Sequence, residues 1–267
     1  MSKPKALVFA GYGLNSEEET SLAFDMAGGV GEIVHINDVI DGTKNLSDYQ
    51  IFAIPGGFAY GDDTGAGNAY AQKMKNHLWE KLQKFVSEDK LIIGICNGFQ
   101  VLVNLGLLPA LEMKYGNREL GLMPNELPRY TVRFVDLRVD NPKSPWLRNI
   151  DIFSIPVSNG EGKLFATEEN LKKMNKKQQV AVRYIKGPMC EYLNVPASPN
   201  GSIDDIAGVT NETGRVLGLM PHPERAMFFT QMPNWQVVKQ DLLAQGKALP
   251  KYGPGFGIFE NAITYFK

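Results

Sequence analysis

Apolar and polar positions follow two periods over the first hundred residues. Short apolar runs at residues 5–10 (KALVFA), 32–36, 49–54 and 91–93 are too short for helices and rich in β-branched or aromatic residues, so each predicts a buried strand. Between them the period lengthens. Leu22, Ala23 and Met26 make a helix face that ends at Gly28-Gly29, and Ser16 with Glu19 predicts a capping box at its start. Residues 67–87 carry Met74, Leu78, Leu82 and Phe85 at helical spacing, a stripe that reads as core. Phe99, Val101, Leu102 and Leu105 before Gly106 predict a further helix with a glycine stop. Strands alternating with helices predict an α/β fold: a mostly parallel central sheet with helices on both faces.

Beyond residue 106 the pattern changes. Residues 129–140, 152–157 and 178–185 read as strands, and 206–209 with 216–220 as a strand pair around the turn Asn211-Glu212-Thr213-Gly214. Residues 158–163, SNGEGK, read as a polar turn at a strand end, and 172–179, KKMNKKQQ, as a solvated basic tip. From Leu242 on the chain is Gly/Pro-punctuated and closes on Phe256, Phe259, Ile263 and Phe266, an amphipathic helix within a stretch from about 232 to 267. It reads as an extension packing on a single domain that spans 1–267.

Composition narrows the class. With 267 residues, 43% of them hydrophobic, the chain can build one sizeable core. Its 28 basic and 29 acidic residues nearly cancel, which argues against nucleic acid or an anionic membrane as partner. The N-terminal apolar run is too short for a signal peptide, and no run reaches membrane-spanning length. Cys96 and Cys190 are the only cysteines, so no disulfide framework is expected, and a reducing, cytoplasmic setting fits.

The chemistry concentrates in Gly94-Ile95-Cys96-Asn97-Gly98, between a strand and a helix. This is the G-x-nucleophile-x-G arrangement with cysteine in the serine place. A sharp strand-to-helix turn strains the middle residue and lifts its sulfur above the sheet edge, and the helix N-terminus there favours a thiolate. The alternative for Cys96 is a buried structural cysteine; Cys190 is read that way. Ligands of such sheets bind beyond the C-terminal strand ends. The third strand ends in Pro55-Gly56-Gly57, whose backbone can approach a reacting carbonyl and supply one oxyanion donor, with the N–H of Asn97 as the other. Gly11-x-Gly13 lacks the third glycine of a dinucleotide loop and reads as an ordinary turn.

A cysteine nucleophile needs a base, and the base needs an orienting acceptor. Of the three histidines, His35 lies in a strand and His77 on a solvent-facing helix position. His222 stands between two prolines at a strand end, with Glu224 two residues on. Cys96, His222 and Glu224 therefore supply nucleophile, base and orienter. A surface loop histidine is the plainer reading of His222.

PGG, G-I-C-x-G-x-Q and H-P-E together resemble the class I (triad) glutamine amidotransferases, whose fold is flavodoxin-like. PGGFAYGD, GICNGFQVLVNLGLLP, PASPNGSIDDIAGV and GLMPHPER resemble, within that class, the glutaminase subunits of phosphoribosylformylglycinamidine synthase, over nearly the full chain. The resemblance implies that Cys96 attacks the carboxamide of glutamine. It implies that His222 shuttles protons, Glu224 orients it, Gly56, Gly57 and Asn97 border the oxyanion, and Gln100 lies near the substrate. It implies no metal and no cofactor in this chain. Ammonia passes to a synthetase subunit that uses ATP and magnesium, joined by a small third subunit. Where that family usually carries His-Gly-Glu-Gly, this chain has Asn159-Gly160-Glu161-Gly162, and an amide does not titrate. Two other classes compete with this reading: a non-catalytic docking subunit, and a cysteine-elbow thiol hydrolase of different chemistry.

Overall fold

The computed structural model describes residues 3–267. The strands are β1 (Lys5–Ala10), β2 (Val30–His35), β3 (Ile51–Ile54), β4 (Leu91–Ile95), β5 (Gly121–Pro124), β6 (Thr131–Val139), β7 (Ile152–Asn159), β8 (Glu161–Phe165), β9 (Val180–Ile185), β10 (Ile206–Thr210) and β11 (Val216–Leu219). The helices are α1 (Glu17–Met26), α2 (Ile36–Ile40), α3 (Asn68–Ser87), α4 (Asn97–Asn104), α5 (Glu168–Lys176), α6 (Pro188–Leu193), α7 (Trp235–Ala244) and α8 (Phe256–Thr264). Nine strands form one sheet in the order β2-β1-β3-β4-β11-β10-β9-β6-β7, and β5 pairs with β8 in a small second sheet.

The large sheet has two halves. From β2 to β11 the neighbours run parallel, with α1, α3 and α4 as crossovers; from β11 to β7 every pairing is antiparallel. The parallel strands β3, β4 and β11 are buried at every position. That is why their sequences are unbroken apolar runs rather than alternating ones. β7 alternates along its length, with Phe153, Ile155, Val157 and Asn159 buried, as a strand with one covered face does.

The predicted strands and helices of the first hundred residues are present within a few residues of their expected limits. Two local expectations fail. The capping box at α1 is not made: Ser16 gives its helix no side-chain bond and instead accepts from the Arg225 guanidinium at 2.8 Å. SNGEGK is not a turn beyond a strand but the join of two, with Gly160 alone between β7 and β8; the switch from one sheet to the other is invisible in a local polar pattern. KKMNKKQQ is largely solvated as expected: it continues α5 with six of its eight residues exposed, while Met174 reaches the core and Gln179 is fully buried.

The C-terminal stretch is seated where the chemistry is. In α8, Phe256, Ile258, Phe259, Ala262 and Ile263 are buried, and Phe259 meets Phe24 of α1 edge-on at 5.0 Å between ring centroids. The backbone ahead of α8 binds the segment after His222, with Gly253 and Gly255 N–H groups donating to Met227 and Ala226 carbonyls.

Candidate active site

The β4–α4 turn explains its own sequence. Cys96 stands at φ 51°, ψ −105°, a conformation that costs a non-glycine residue about 1–3 kcal/mol and persists only when its surroundings enforce it. They do. The Cys96 N–H donates to Leu219 of β11 at 2.8 Å, and its carbonyl accepts from Gln100 at 3.1 Å as the first turn of α4 closes. Gly98 packs so close to β3 that an added Cβ would lie 1.9 Å from the Ile54 carbonyl oxygen; one on Gly94 would lie 2.5 Å from the Gly98 oxygen. The two glycines of the motif are a packing requirement: strand and helix touch here backbone to backbone.

Cys96 therefore sits at the N-terminus of α4, where backbone N–H groups lack intrahelical acceptors and a positive potential collects. The Asn97 side chain secures the adjoining loop. Its Oδ1 accepts from the Ala59 N–H at 3.0 Å, and its Nδ2 donates to Asp62 Oδ1 at 3.0 Å and Gln100 Oε1 at 2.8 Å. Burial pushes the Asp62 carboxyl up, against the donors Asn97 and Gly67. Gln100 donates in turn to the Glu161 carbonyl at 2.5 Å, so its amide braces the β7–β8 join to α4. The Gly56-Gly57 segment is clamped from the other side: the Gly56 carbonyl accepts from Asn15 and Ser16, and Phe58 donates to Gly13. A Cβ on Gly57 would meet the Gly13 oxygen at 2.5 Å.

His222 follows β11, the strand beside β4, so sheet order brings it to the elbow. Its N–H donates to the Pro156 carbonyl of β7 at 2.8 Å, and its Nδ1 meets Glu224 Oε1 at 2.5 Å. Its ring lies over Gly56, where an added Cβ would come within 2.8 Å of Cε1. All three candidate residues are enclosed: Cys96 is 6% exposed, His222 and Glu224 2%. Burial alone would depress the His222 pKa. The Glu224 carboxylate and the neighbouring Cys96 outweigh it and hold the imidazolium up to about 10. The Arg225 guanidinium stands 3.8 Å from Glu224 and 3.5 Å from Glu19.

The structure brings Cys96, His222, Glu224, Gly56, Gly57, Asn97 and Gln100 to one place. Sequence reasoning missed the segment that faces them. Ser158 of β7 puts its carbonyl oxygen 3.6 Å from the Cys96 sulfur, while the buried Nε2 of His222 has no hydrogen-bond partner. A backbone carbonyl leaves no mark in residue types, so no pattern could have found it. Cys190 lies apart, fully buried, its N–H donating to Asp136. Among the described residues, no group of three His, Cys, Asp or Glu side chains is placed to hold a metal ion, and no helix is long and apolar enough to cross a membrane.

A parallel sheet that seats an enclosed cysteine elbow beside a His–Glu pair defines a class, and comparison with known proteins agrees. The family model described as a CobB/CobQ-like glutamine amidotransferase domain matches residues 3–266: the chain belongs to the glutamine amidotransferases, with the class I fold. Two curated relatives carry one description. The phosphoribosylformylglycinamidine synthase subunit PurQ of Methanococcus maripaludis is 41% identical over 270 residues, covering 98% of this chain and 97% of that protein. PurQ of Dehalococcoides mccartyi is 41% identical over 267 residues, covering 99% and 98%. The structure of PurLQS from Thermotoga maritima contains a chain that superposes with a TM-score of 0.72 at 28% identity, covering 99% of this chain and 100% of that one.

Proposed function

We propose that this chain is the glutaminase subunit of a phosphoribosylformylglycinamidine synthase, with Cys96, His222 and Glu224 as its catalytic triad. The observation that carries the triad is the buried His222–Glu224 pair at 2.5 Å, lying over Gly56 beside the strained Cys96 turn. The Cys96 proton rests on His222, and the sulfur attacks the carboxamide carbon of glutamine as the thiolate of that pair. The oxygen of the tetrahedral intermediate is received by the N–H groups of Gly57 and Asn97. His222 returns the proton to the leaving nitrogen, ammonia departs, and a Cys96 thioester remains. His222 then takes a proton from water, which attacks the thioester and releases glutamate. Glu224 holds the ring with Nδ1–H toward itself and Nε2 toward the sulfur, the division of labour of other triads.

Ammonia released in a closed site serves a second active site. In this reading that site lies on a synthetase subunit, with a small third subunit beside it, which uses ATP and magnesium to replace the amide oxygen of formylglycinamide ribonucleotide by nitrogen. This chain needs no cofactor of its own for that chemistry. Residues 1–267 act as one domain on which the stretch from about 232 packs, and two free, buried cysteines suit the cytoplasm.

The test follows glutamate production from glutamine with and without the synthetase, formylglycinamide ribonucleotide, ATP and magnesium. Glutamate formation should rise with the synthetase and fall at least about a thousandfold in Cys96→Ala. Formation that ignores the synthetase would remove the partner assignment; none under any condition would leave a docking subunit.

A further inference from the structure

Two segments flank Cys96. One is residues 55–59 after β3; the other is residues 158–162, where β7 passes into β8. Tyr130, just ahead of β6, holds both. Its hydroxyl donates to the Ser158 carbonyl oxygen at 2.9 Å and lies 2.9 Å from the Ser158 hydroxyl. Its ring packs tilted against Phe58, 5.9 Å between centroids, and Phe58 directly follows Gly57. The ring edge also runs along Gly160, where an added Cβ would meet Cδ2 at 3.6 Å. Tyr130 is 47% exposed, so this clasp is set from the outer surface.

The same Ser158 carbonyl is the polar neighbour of the Cys96 sulfur, at 3.6 Å. One oxygen thus receives a phenol from outside and the thiol from inside. We infer that Tyr130 is a positioning residue for the glutaminase reaction: by donating to the Ser158 carbonyl, it weakens that oxygen's hold on the protonated Cys96 thiol and frees the sulfur for His222. The inference rests on Cys96 being the nucleophile.

Two effects act with one sign. A carbonyl with a free lone pair accepts an S–H and so favours the neutral thiol. Its dipole, oxygen end toward the sulfur, also disfavours the thiolate. An O–H donor on that oxygen draws off part of its charge and reduces both. The other charged or titratable groups packed around the sulfur are His222 and Glu224 from the turn after β11 and Tyr184 from β9. Glu161 of β8 is reached only through Gln100, which donates to its carbonyl, and Asp62 only through the Asn97 amide. His222 pulls toward thiolate; Glu161 and Asp62 are taken up by the Ala66 N–H and the Asn97 amide. Tyr184, whose phenol burial pushes up, stays neutral across the working range.

Tyr130→Phe removes the hydroxyl and keeps the ring. The rate of alkylation of Cys96 by iodoacetamide, with the modified peptide mapped by mass, is followed from pH 5.5 to 9, and kcat and KM for glutamine are measured on the assembled complex. In Tyr130→Phe the acidic limb of the labelling rate should move to higher pH by about half to one unit, a roughly three- to tenfold slower reaction on the limb. kcat should fall with it while KM holds, and the gap should close at high pH. A limb that superimposes on the wild type overturns the inference, as does a loss of kcat that stays constant across pH. Phe58→Leu keeps the hydroxyl but loosens the ring, and should shift the limb in the same direction by less; it carries the test if Tyr130→Phe melts at a much lower temperature. Failure of the underlying reading looks different: Cys96 unlabelled in the wild-type protein, or glutamate still formed by Cys96→Ala.

Discussion

The two halves of the large sheet contribute to the site in different currencies. The parallel half contributes side chains and sharp turns: Cys96 after β4, His222 and Glu224 after β11, Gly56 and Gly57 after β3. The antiparallel half contributes backbone. β7 lies at the sheet edge, and its Pro156 and Ser158 carbonyls hold His222 and meet the Cys96 sulfur. Reactive groups need particular residue types; a hydrogen-bond fixture on a strand edge needs only a strand in register. One half is therefore written in its residues and the other in its topology.

The largest effect should come from the parallel half. Glu224→Gln keeps the shape and removes the charge that favours the imidazolium and its tautomer, so glutamate formation should fall about 10²- to 10⁴-fold with KM for glutamine little changed. A raised KM with kcat unchanged would instead place Glu224 in substrate binding. Next is Gly98→Ala, where the new methyl would sit 1.9 Å from the Ile54 oxygen. Strand and helix must part, at about 3 kcal/mol or more, read as a lower urea midpoint. An unchanged midpoint would mean that α4 can shift off β3, and that the elbow is less rigid than its packing.

This is also how far the sequence could be read. The cysteine elbow, the Pro-Gly-Gly loop and Pro-His-Pro-Glu were legible because their chemistry demands cysteine, histidine, carboxylate and glycine at fixed spacing. The parallel strands were legible as apolar runs because both faces are buried. The β7–β8 join was not. Its polar residues suggested a turn at a strand end, yet Asn159 is 3% exposed and the chain crosses there from one sheet to the other. Ser16 was misread for a similar reason: its local spacing to Glu19 fits a capping box, but Arg225, 209 residues away, takes its hydroxyl.

The histidine joins the halves, and pH tests the joint. His222 gains its partner in the folded state and has its pKa raised, from 6.5 to about 10. Its stabilising contribution is fully present below about pH 6.5 and drains away as pH rises through about 10. The urea midpoint of the wild type should therefore exceed that of His222→Gln most at pH 6, with the difference shrinking toward pH 10. A difference that grows with pH would show that the ring is buried neutral and that Glu224 does not charge it.

The smallest effect, and the closest comparison, concerns two buried asparagines, one from each half. Asn97 spends its amide on three hydrogen bonds, to Ala59, Asp62 and Gln100. Asn159, as deeply buried, has both Oδ1 and Nδ2 without a hydrogen-bond partner, although its own carbonyl is held by Asn125. Removing a group with satisfied partners orphans those partners; removing a group that is itself orphaned takes away a desolvation penalty already present. Asn97→Ala should thus cost about 2–4 kcal/mol, since it leaves the buried Ala59 N–H without an acceptor and takes one donor each from Asp62 and Gln100. Asn159→Ala should stay within about 1 kcal/mol of the wild type in either direction, because the loss of packing and the relief of desolvation oppose each other. Equal costs for the two would show that Asn159 is paired in solution, and that the join of β7 and β8 is fixed by side chains as firmly as the elbow it faces.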